Sequence, residues 1–331
     1  MKSKEEIQRE LDRIATKTKT QDGLISIIIP IYGTFDIKRL ILTTDSIMLQ
    51  KGVNIEIIVS EQGISPRLEG KLNSSVKYIF TYHQPKVDLS DFNPGRIRNL
   101  AVTLANGEFL YTTDADILFV NPYYISNLIE LIQQNQLLAL YRPPMRRLVK
   151  ENFEEFLNSV NSVGIRRAIS LLDFSQPYIA TTDGKKRRLK VVTRQKNEYE
   201  KTFTTSMENF QKYISDPSLR GKEPTIWTED RHCGANFMRR SQFDMVGGYC
   251  EKFINWGCED SDLQWKLSQV FDLQLIPKEQ RYEVLHLDHP RNYFSAEMWA
   301  RNEEICAQRK QQGIIKSVKE DMEKWQINLK K

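Results

Sequence analysis

The sequence predicts an α/β protein with a mostly parallel central sheet, and two observations carry that prediction. Short apolar, β-branched runs alternate with helix-patterned segments through the first 140 residues, the order in which βαβ units are built. The runs are also apolar nearly throughout, as strands covered on both faces require.

Taken in order, Leu24 to Tyr32 ("LISIIIPIY") is the first such strand. Ile37, Leu40, Ile41, Thr44, Ile47 and Met48 follow at three- and four-residue steps, which puts them on one helix face. "NIEIIVSEQG" (54–63) and "VKYIFTY" (76–82) read as further strands, and "NPGRIRNLAVTLANG" carries the Pro entry and Asn-Gly exit of a short helix. "EFLYTTDAD" ends a fourth strand, a helix spans about 122–134, and "LLAL" (137–140) is another apolar run. From 142 to 225 the pattern changes to a helical and basic insertion. The α/β character returns over 226–294 with strands near 273–276 and 282–287, and a long charged helix over 295–331 closes the chain. Residues 1–23 form a helical extension ahead of the first strand.

A chain of 331 residues has room for about two domains or one large one with an insertion. Its 40% apolar and 27% charged composition excludes a disordered or fibrous chain. The longest apolar run is far short of a bilayer span, and the N-terminus alternates acids with bases instead of offering a signal-like stretch. The expected location is therefore cytoplasmic. Cys233, Cys250, Cys258 and Cys306 show no paired or zinc-like spacing and are expected as free thiols. The net charge is +5, and the seven bases of Lys185 to Lys196 exceed it, so the basic character is local. That run lacks the interleaved aromatics of a nucleic-acid stacking surface. It is either a solvated loop or a surface for an anionic acceptor or an anionic membrane face, with Arg142, Arg146, Arg147 and Lys150 contributing.

Three places could hold chemistry. Asp114 and Asp116 lie two apart at a predicted strand end, so both carboxylates would face one ligand and could clamp Mg²⁺ or Mn²⁺ to a diphosphate. By itself the pair is weak, since Asp260 and Asp262 repeat it. Its position at the carboxyl end of a buried strand, where open α/β sheets bind ligands, is what raises it. Glu259, Asp260 and Asp262 crowd the start of a helix. They are either dipole-stabilising caps or a like-charge cluster in which one carboxyl has a raised pKa and acts as a general base. Trp256 and Gly257 precede them, as a sugar-binding loop requires. In "VLHLDHPRNYF", His286 or His289 could complete a metal site begun by Asp116, with Arg291 against phosphate.

The order of the "IIPIY" strand, a strand ending in Glu61, the Gly95, Arg98 and Asn99 set, the DxD strand and a later "VGGY…F…WGCEDSDL" segment resembles the nucleotide-diphospho-sugar glycosyltransferases of GT-A fold. It is most similar to bacterial polysaccharide enzymes whose C-terminal half is similar to galactosyltransferases and chondroitin-type polymerases. The likeness covers about 24–140 and 233–293.

The resemblance implies a Rossmann-like GT-A sheet flanked by helices, with a nucleotide-sugar half (24–141) and an acceptor and catalytic half (226–294). It implies that Pro30, Ile31, Tyr32 and Glu61 line the base pocket, that Arg98 contacts the nucleotide and Asp114 the ribose or sugar, and that Asp116 holds the metal. His286 is then preferred to His289 as the second metal ligand. Trp256, Gly257, Glu259 and Asp262 would meet acceptor or sugar, and Asp260 would be the catalytic base. The implied reaction is metal-dependent inverting transfer from a UDP-sugar to a hydroxyl of a glycan or lipid-linked acceptor, in bacterial surface polysaccharide synthesis. A retaining transferase and a non-catalytic sugar or nucleotide binder are the alternatives.

Overall fold

Alternation of side chains along β1 (Gln21–Tyr32) decides the layering of the molecule. In the computed structural model, which describes residues 2–83, 92–148, 152–172, 231–255, 257–289 and 296–330, Ile25, Ile27, Ile29 and Ile31 enter one core cluster and Ile28 another. Successive side chains of a strand leave opposite faces, and here both faces are covered. β2 (Asn54–Gly63) and β4 (Gly107–Thr112) flank β1 in parallel, with Ile28 level with Ile58 and Thr112. They divide the same way: Ile57, Val59 and Tyr111 on one side, Ile58 and Leu110 on the other.

β3 (Val76–Tyr82), β6 (Leu138–Tyr141), β8 (Asn236–Arg239) and β9 (Asp272–Leu275) complete a seven-stranded sheet of order β3-β2-β1-β4-β8-β6-β9. Only β8 runs antiparallel to its neighbours. On one face lie α2 (Ile37–Met48), N-capped by Asp36, and α4 (Tyr124–Gln133), through Leu40, Ile47, Ile125 and Leu128. On the other lie α1 (Lys4–Asp12), α3 (Pro94–Thr103), α7 (Arg240–Met245), α8 (Glu259–Val270) and α10 (Ile314–Leu329), burying Leu11, Val102, Phe243, Leu267 and Trp325. α3 starts as its sequence predicts, with Pro94 in the first turn and the Asn93 side chain accepting from the Arg96 amide at 2.8 Å.

A second sheet of order β5-β10-β7 is built from β5 (Ile117–Phe119), β7 (Met145–Leu148) and β10 (Val284–Leu287). β10 runs antiparallel to β5 and parallel to β7. α5 (Phe153–Val163) and α6 (Ile165–Ser170) cover it through Phe153, Phe156 and Ile169.

Several expectations are revised. β1 begins at Gln21, so the strand takes in residues assigned to the extension. The stretch assigned to a helical insertion opens with β7, whose strand character comes from pairing with β10 rather than from local apolar pattern. The C-terminal segment is two helices, α9 (Ala296–Gln312) and α10, because Gly313 at φ 88° adopts a left-handed conformation that breaks the helix. The Asp-Ala-Asp segment is not strand: β4 ends at Thr112 and the chain turns through 114–116 into β5 of the other sheet. No helix among the described residues is long and apolar enough to cross a membrane. None of the four cysteines is in a disulfide. The basic run Lys185 to Lys196, together with Trp256 and Arg291, lies outside the described residues.

Candidate active site

A cavity of about 270 Å³ opens at the carboxyl ends of β1 and β4, the place where open α/β sheets bind ligands. One end is aromatic: Tyr32 lies 5.8 Å from Phe35 and 5.1 Å from Phe92 between ring centres, with Pro30 and Ile31 alongside. Such a face suits a planar base. Glu61 is not on it. Its fully buried carboxylate accepts from Arg67 Nε at 2.9 Å and from Tyr78 at 2.6 Å. Arg67 in turn donates to the carbonyls of Tyr32 and Phe35. Glu61 therefore positions the aromatic end through Arg67 and does not line the cavity.

Beside Phe35 sits the second element. The turn after β4 sends Asp116 inward, where its Oδ2 lies 3.2 Å from His286 Nε2 and 2.9 Å from His289 Nε2. One ligand atom from each of the three residues falls within 4.8 Å of the others. Burial works against the Asp116 charge, but both histidines outweigh it and hold the carboxyl well below its usual range. His286 is pushed down to about 4 by burial, which outweighs the pull of Asp116. Its imidazole is therefore neutral at pH 7 and keeps a lone pair for a metal. Arg147 Nη1 at 3.3 Å and Asp288 Oδ1 at 3.7 Å face its Nδ1. The sequence preferred His286 over His289; the fold brings both to Asp116.

Asp114 and Asp116 both line the cavity, but only Asp116 joins the histidine cluster. Asp114 is 42% exposed against 6% for Asp116, and it accepts from Arg98 Nη2 at 2.8 Å. Their placement comes from the turn at 114–116 and not from the strand alternation that was expected. Arg98, on α3, donates through Nη1 to Glu259 Oε1 at 3.0 Å and lies 3.8 Å from Asp260 Oδ2. Burial opposes its charge, but Asp260, Asp114 and Glu259 more than offset that. Arg98 thus gathers the three carboxylates instead of facing the cavity alone.

Asp260 stands on the first turn of α8. Its Oδ1 lies 3.1 Å from the Tyr249 hydroxyl and 3.3 Å from Asn236 Nδ2. Burial raises its pKa despite the Arg98 charge. Burial and the adjacent Asp260 raise Glu259 as well. Asp262 differs. It is fully buried on the far side of the helix, accepting from Arg309 Nε at 2.7 Å and Nη2 at 3.1 Å. Expected at the acceptor, it belongs to a core ion network with Arg309, Asp321 and Lys266. A step of two residues along a helix turns a side chain through more than half a turn.

The loop before α8 is tightly wound, with Asn255 at φ 64°, Gly257 at φ 103° and Cys258 at φ 74°. A Cβ on Gly257 would collide with the Trp299 ring. Trp299, on α9, lines the cavity, whereas Trp325 packs in the core against Phe243.

Two family models match the chain: "Glycosyl transferase family 2" over residues 26–169 and "N-terminal domain of galactosyltransferase" over residues 222–289. Together they take in more than half of it and meet at this cavity. The chain belongs to the glycosyltransferases. Among solved structures it is similar to the mannosyltransferase PcManGT from Pyrobaculum calidifontis in complex with GDP-Man and Mn²⁺, at 13% identity, TM-score 0.44 and 88% of this chain. It is also similar to S. aureus TarS 1-349 in complex with UDP-GlcNAc, at 13% identity, TM-score 0.45 and 86% of this chain. The chain spans 65% of the length of each. No curated protein sequence matches it.

The glycosyltransferase cavity holds residues that sequence reading did not assign to it. Arg231 and His232, from the approach to β8, line it, and Asn236 of β8 and Tyr249 of the turn after α7 are buried behind Asp260 and bond to it. Tyr249 is the tyrosine of the "GGY" segment, which was visible as a motif without a role.

Proposed function

We propose that this glycosyltransferase moves a sugar from a UDP-sugar to a hydroxyl of a glycan or glycolipid acceptor, with inversion and with help from Mn²⁺ or Mg²⁺. The observation that carries the reading is the placement of Asp260, a carboxyl of raised pKa, in one cavity with the Asp116, His286 and His289 cluster.

The cluster fits a divalent cation. Asp116 Oδ1 is buried with no hydrogen-bond partner among the described residues, and one carboxylate with two imidazoles suits Mn²⁺ better than Mg²⁺, which favours oxygen. A cation bound there supplies Lewis-acid stabilisation of the departing nucleoside diphosphate. Arg147 lies beside the cluster and would offset charge on the diphosphate, a role the resemblance also gives to Arg291, which lies outside the described residues.

Asp260 takes the proton of the acceptor hydroxyl. Tyr249 and Asn236 hold Oδ1, and Oδ2, 3.8 Å from Arg98 Nη2, is the oxygen assigned to the proton. The hydroxyl oxygen then bonds to the anomeric carbon opposite the diphosphate, whose C–O bond breaks with its electron pair leaving on phosphate. Glu259 lines the cavity but is bound to Arg98, a pairing that favours single displacement over attack by Glu259. Tyr32, Phe35 and Phe92 stack the base, Asp114 Oδ2 meets ribose or sugar, and Gly257 with Trp256 shapes the acceptor loop. The resemblance to bacterial polysaccharide enzymes extends the reading to surface polysaccharide synthesis in the cytoplasm or at the inner face of the membrane, with Lys185 to Lys196 as a contact for anionic lipid.

Calorimetric titration of UDP with and without Mn²⁺ tests the donor site. Metal-dependent binding is expected in the native chain and in Asp260→Asn, and its loss in Asp116→Ala. Transfer should disappear in Asp260→Asn. Metal-independent binding, or near-native turnover of Asp260→Asn, would overturn the reading.

A further inference from the structure

His232 stands in the cavity wall with Asp114, and the proposed chemistry gives it no role. The residue is 4% exposed, and its Nε2 is buried with no hydrogen-bond partner among the described residues. A buried polar atom left in that state costs stability, so a fold that keeps one calls for a reason. Asp114 Oδ2 faces the same nitrogen at 3.8 Å, which is too long for a hydrogen bond.

The segment that carries His232 is held from three sides. The His232 amide donates to the Pro143 carbonyl at 3.0 Å, beyond the end of β6. The Cys233 carbonyl accepts from Gln264 Nε2 of α8 at 3.1 Å, and the Gly234 carbonyl accepts from Thr112 Oγ1 of β4 at 3.3 Å. Gly234 also lets the segment close on Asp114, since a Cβ there would meet Asp114 Oδ2 at 2.7 Å. The imidazole is thus fixed against the carboxylate before any ligand arrives, the arrangement that makes a polar contact selective.

We infer that His232 and Asp114 together hold one hydroxyl of the donor sugar, which makes His232 a specificity-determining residue of the transfer. The hydroxyl oxygen accepts from His232 Nε2–H, and its proton goes to Asp114 Oδ2, so one group set beside the pair satisfies both. The carboxylate facing Nε2 favours the tautomer that carries the proton there. The inference rests on the donor reading above and decides between ribose and sugar at Asp114. Asp114 Oδ1 and Asp260 Oδ2 lie 2.8 and 3.8 Å from the same nitrogen, Arg98 Nη2. A hydroxyl on the other oxygen of Asp114 is therefore close to the carboxyl that receives the acceptor proton, where the transferred sugar reacts. The ribose stays with the base at the Tyr32 end. A site built around a hydroxyl rejects a sugar that lacks it, because buried polar groups are then left unpaired.

The test is calorimetric titration, at saturating Mn²⁺, of UDP and of UDP-glucose, UDP-galactose, UDP-N-acetylglucosamine and UDP-N-acetylgalactosamine. The readout is Kd for the tightest-binding UDP-sugar divided by Kd for UDP, which isolates the sugar. His232→Phe keeps the bulk of the ring and loses the donor. The ratio should rise about threefold to tenfold, the scale of one hydrogen bond, with UDP affinity unchanged. His232→Gln, whose amide offers a donor at similar reach, should keep most of the native ratio. A rise below about threefold in His232→Phe overturns the inference. So does an equal rise in both variants, which would make the effect one of packing, or a parallel loss of UDP affinity, which would make His232 a support of the whole cavity. Failure of UDP itself to bind the native chain would instead overturn the donor reading on which the inference rests.

Discussion

The phenol oxygen of Tyr249 lies 3.1 Å from Oδ1 of Asp260, so the carboxyl cast as the base shares a hydrogen bond with a side chain that is itself fully buried. This bond favours the ionised form and works against the burial that raises the Asp260 pKa. Asp260 accepts a proton only when ionised, so activity is present above its pKa and is lost as pH falls through it. Tyr249→Phe removes the bond, the pKa rises further, and the acid limb of the kcat profile moves to higher pH with a several-fold fall in kcat at neutrality. Coincident acid limbs in native and variant enzyme would separate Asp260 from the proton transfer.

Both histidines meet Asp116 at hydrogen-bond range. His286→Ala and His289→Ala should therefore each weaken Mn²⁺ binding by at least about tenfold, the scale on which even outer-shell changes act. Titration followed by the electron paramagnetic resonance of free Mn²⁺ measures this directly. Native affinity in one variant would reduce the cluster to two ligands.

Gly257 has φ 103° and its missing Cβ is replaced by the ring of Trp299. Gly257→Ala must move either the loop or the indole, and both border the first turn of α8 that carries Asp260. A drop in transfer of roughly tenfold or more is expected, consistent with the cost of small misplacements at a reacting centre. The loop reaches the aromatic end, where the Asn255 amide donates to the Phe92 carbonyl. Among the described residues Gly257 makes no such contact, so UDP affinity should fall less than transfer. A parallel loss of UDP affinity would mean that the loop shapes the whole cavity.

Arg309 links α9 to Asp262 on α8 and to Asp321 on α10, with Lys266 closing the network at 2.6 Å from Asp321. Every member is buried. Arg309→Leu strands two carboxylates beside a single lysine and should cost about 3–5 kcal/mol in urea unfolding. A loss below about 1 kcal/mol would show that Lys266 and relaxation suffice.

The sheet was legible because its cause is local. The nearly unbroken apolar run at Leu24 to Tyr32 needs cover on both faces, and the Pro and Asn of "NPG" start α3 wherever that helix lies. The order of motifs likewise pointed to a glycosyltransferase before any contact was known. The roles of individual charges were not legible in this way. Glu61, Asp262, Asp116 and Asp260 are all carboxylates near strand or helix ends, yet Glu61 and Asp262 meet Arg67 and Arg309 away from the cavity, and the other two line it. What separates them is helix rotation, the turn from one sheet to the other at 114–116, and cations brought in from distant parts of the chain. By itself the sequence determined which segments pair into layers and which chemistry they carry, since burial of apolar runs is a property of each segment. Only the tertiary structure decided which charge meets ligand and which meets its counter-ion, because desolvation and pairing depend on neighbours that the chain brings together only on folding.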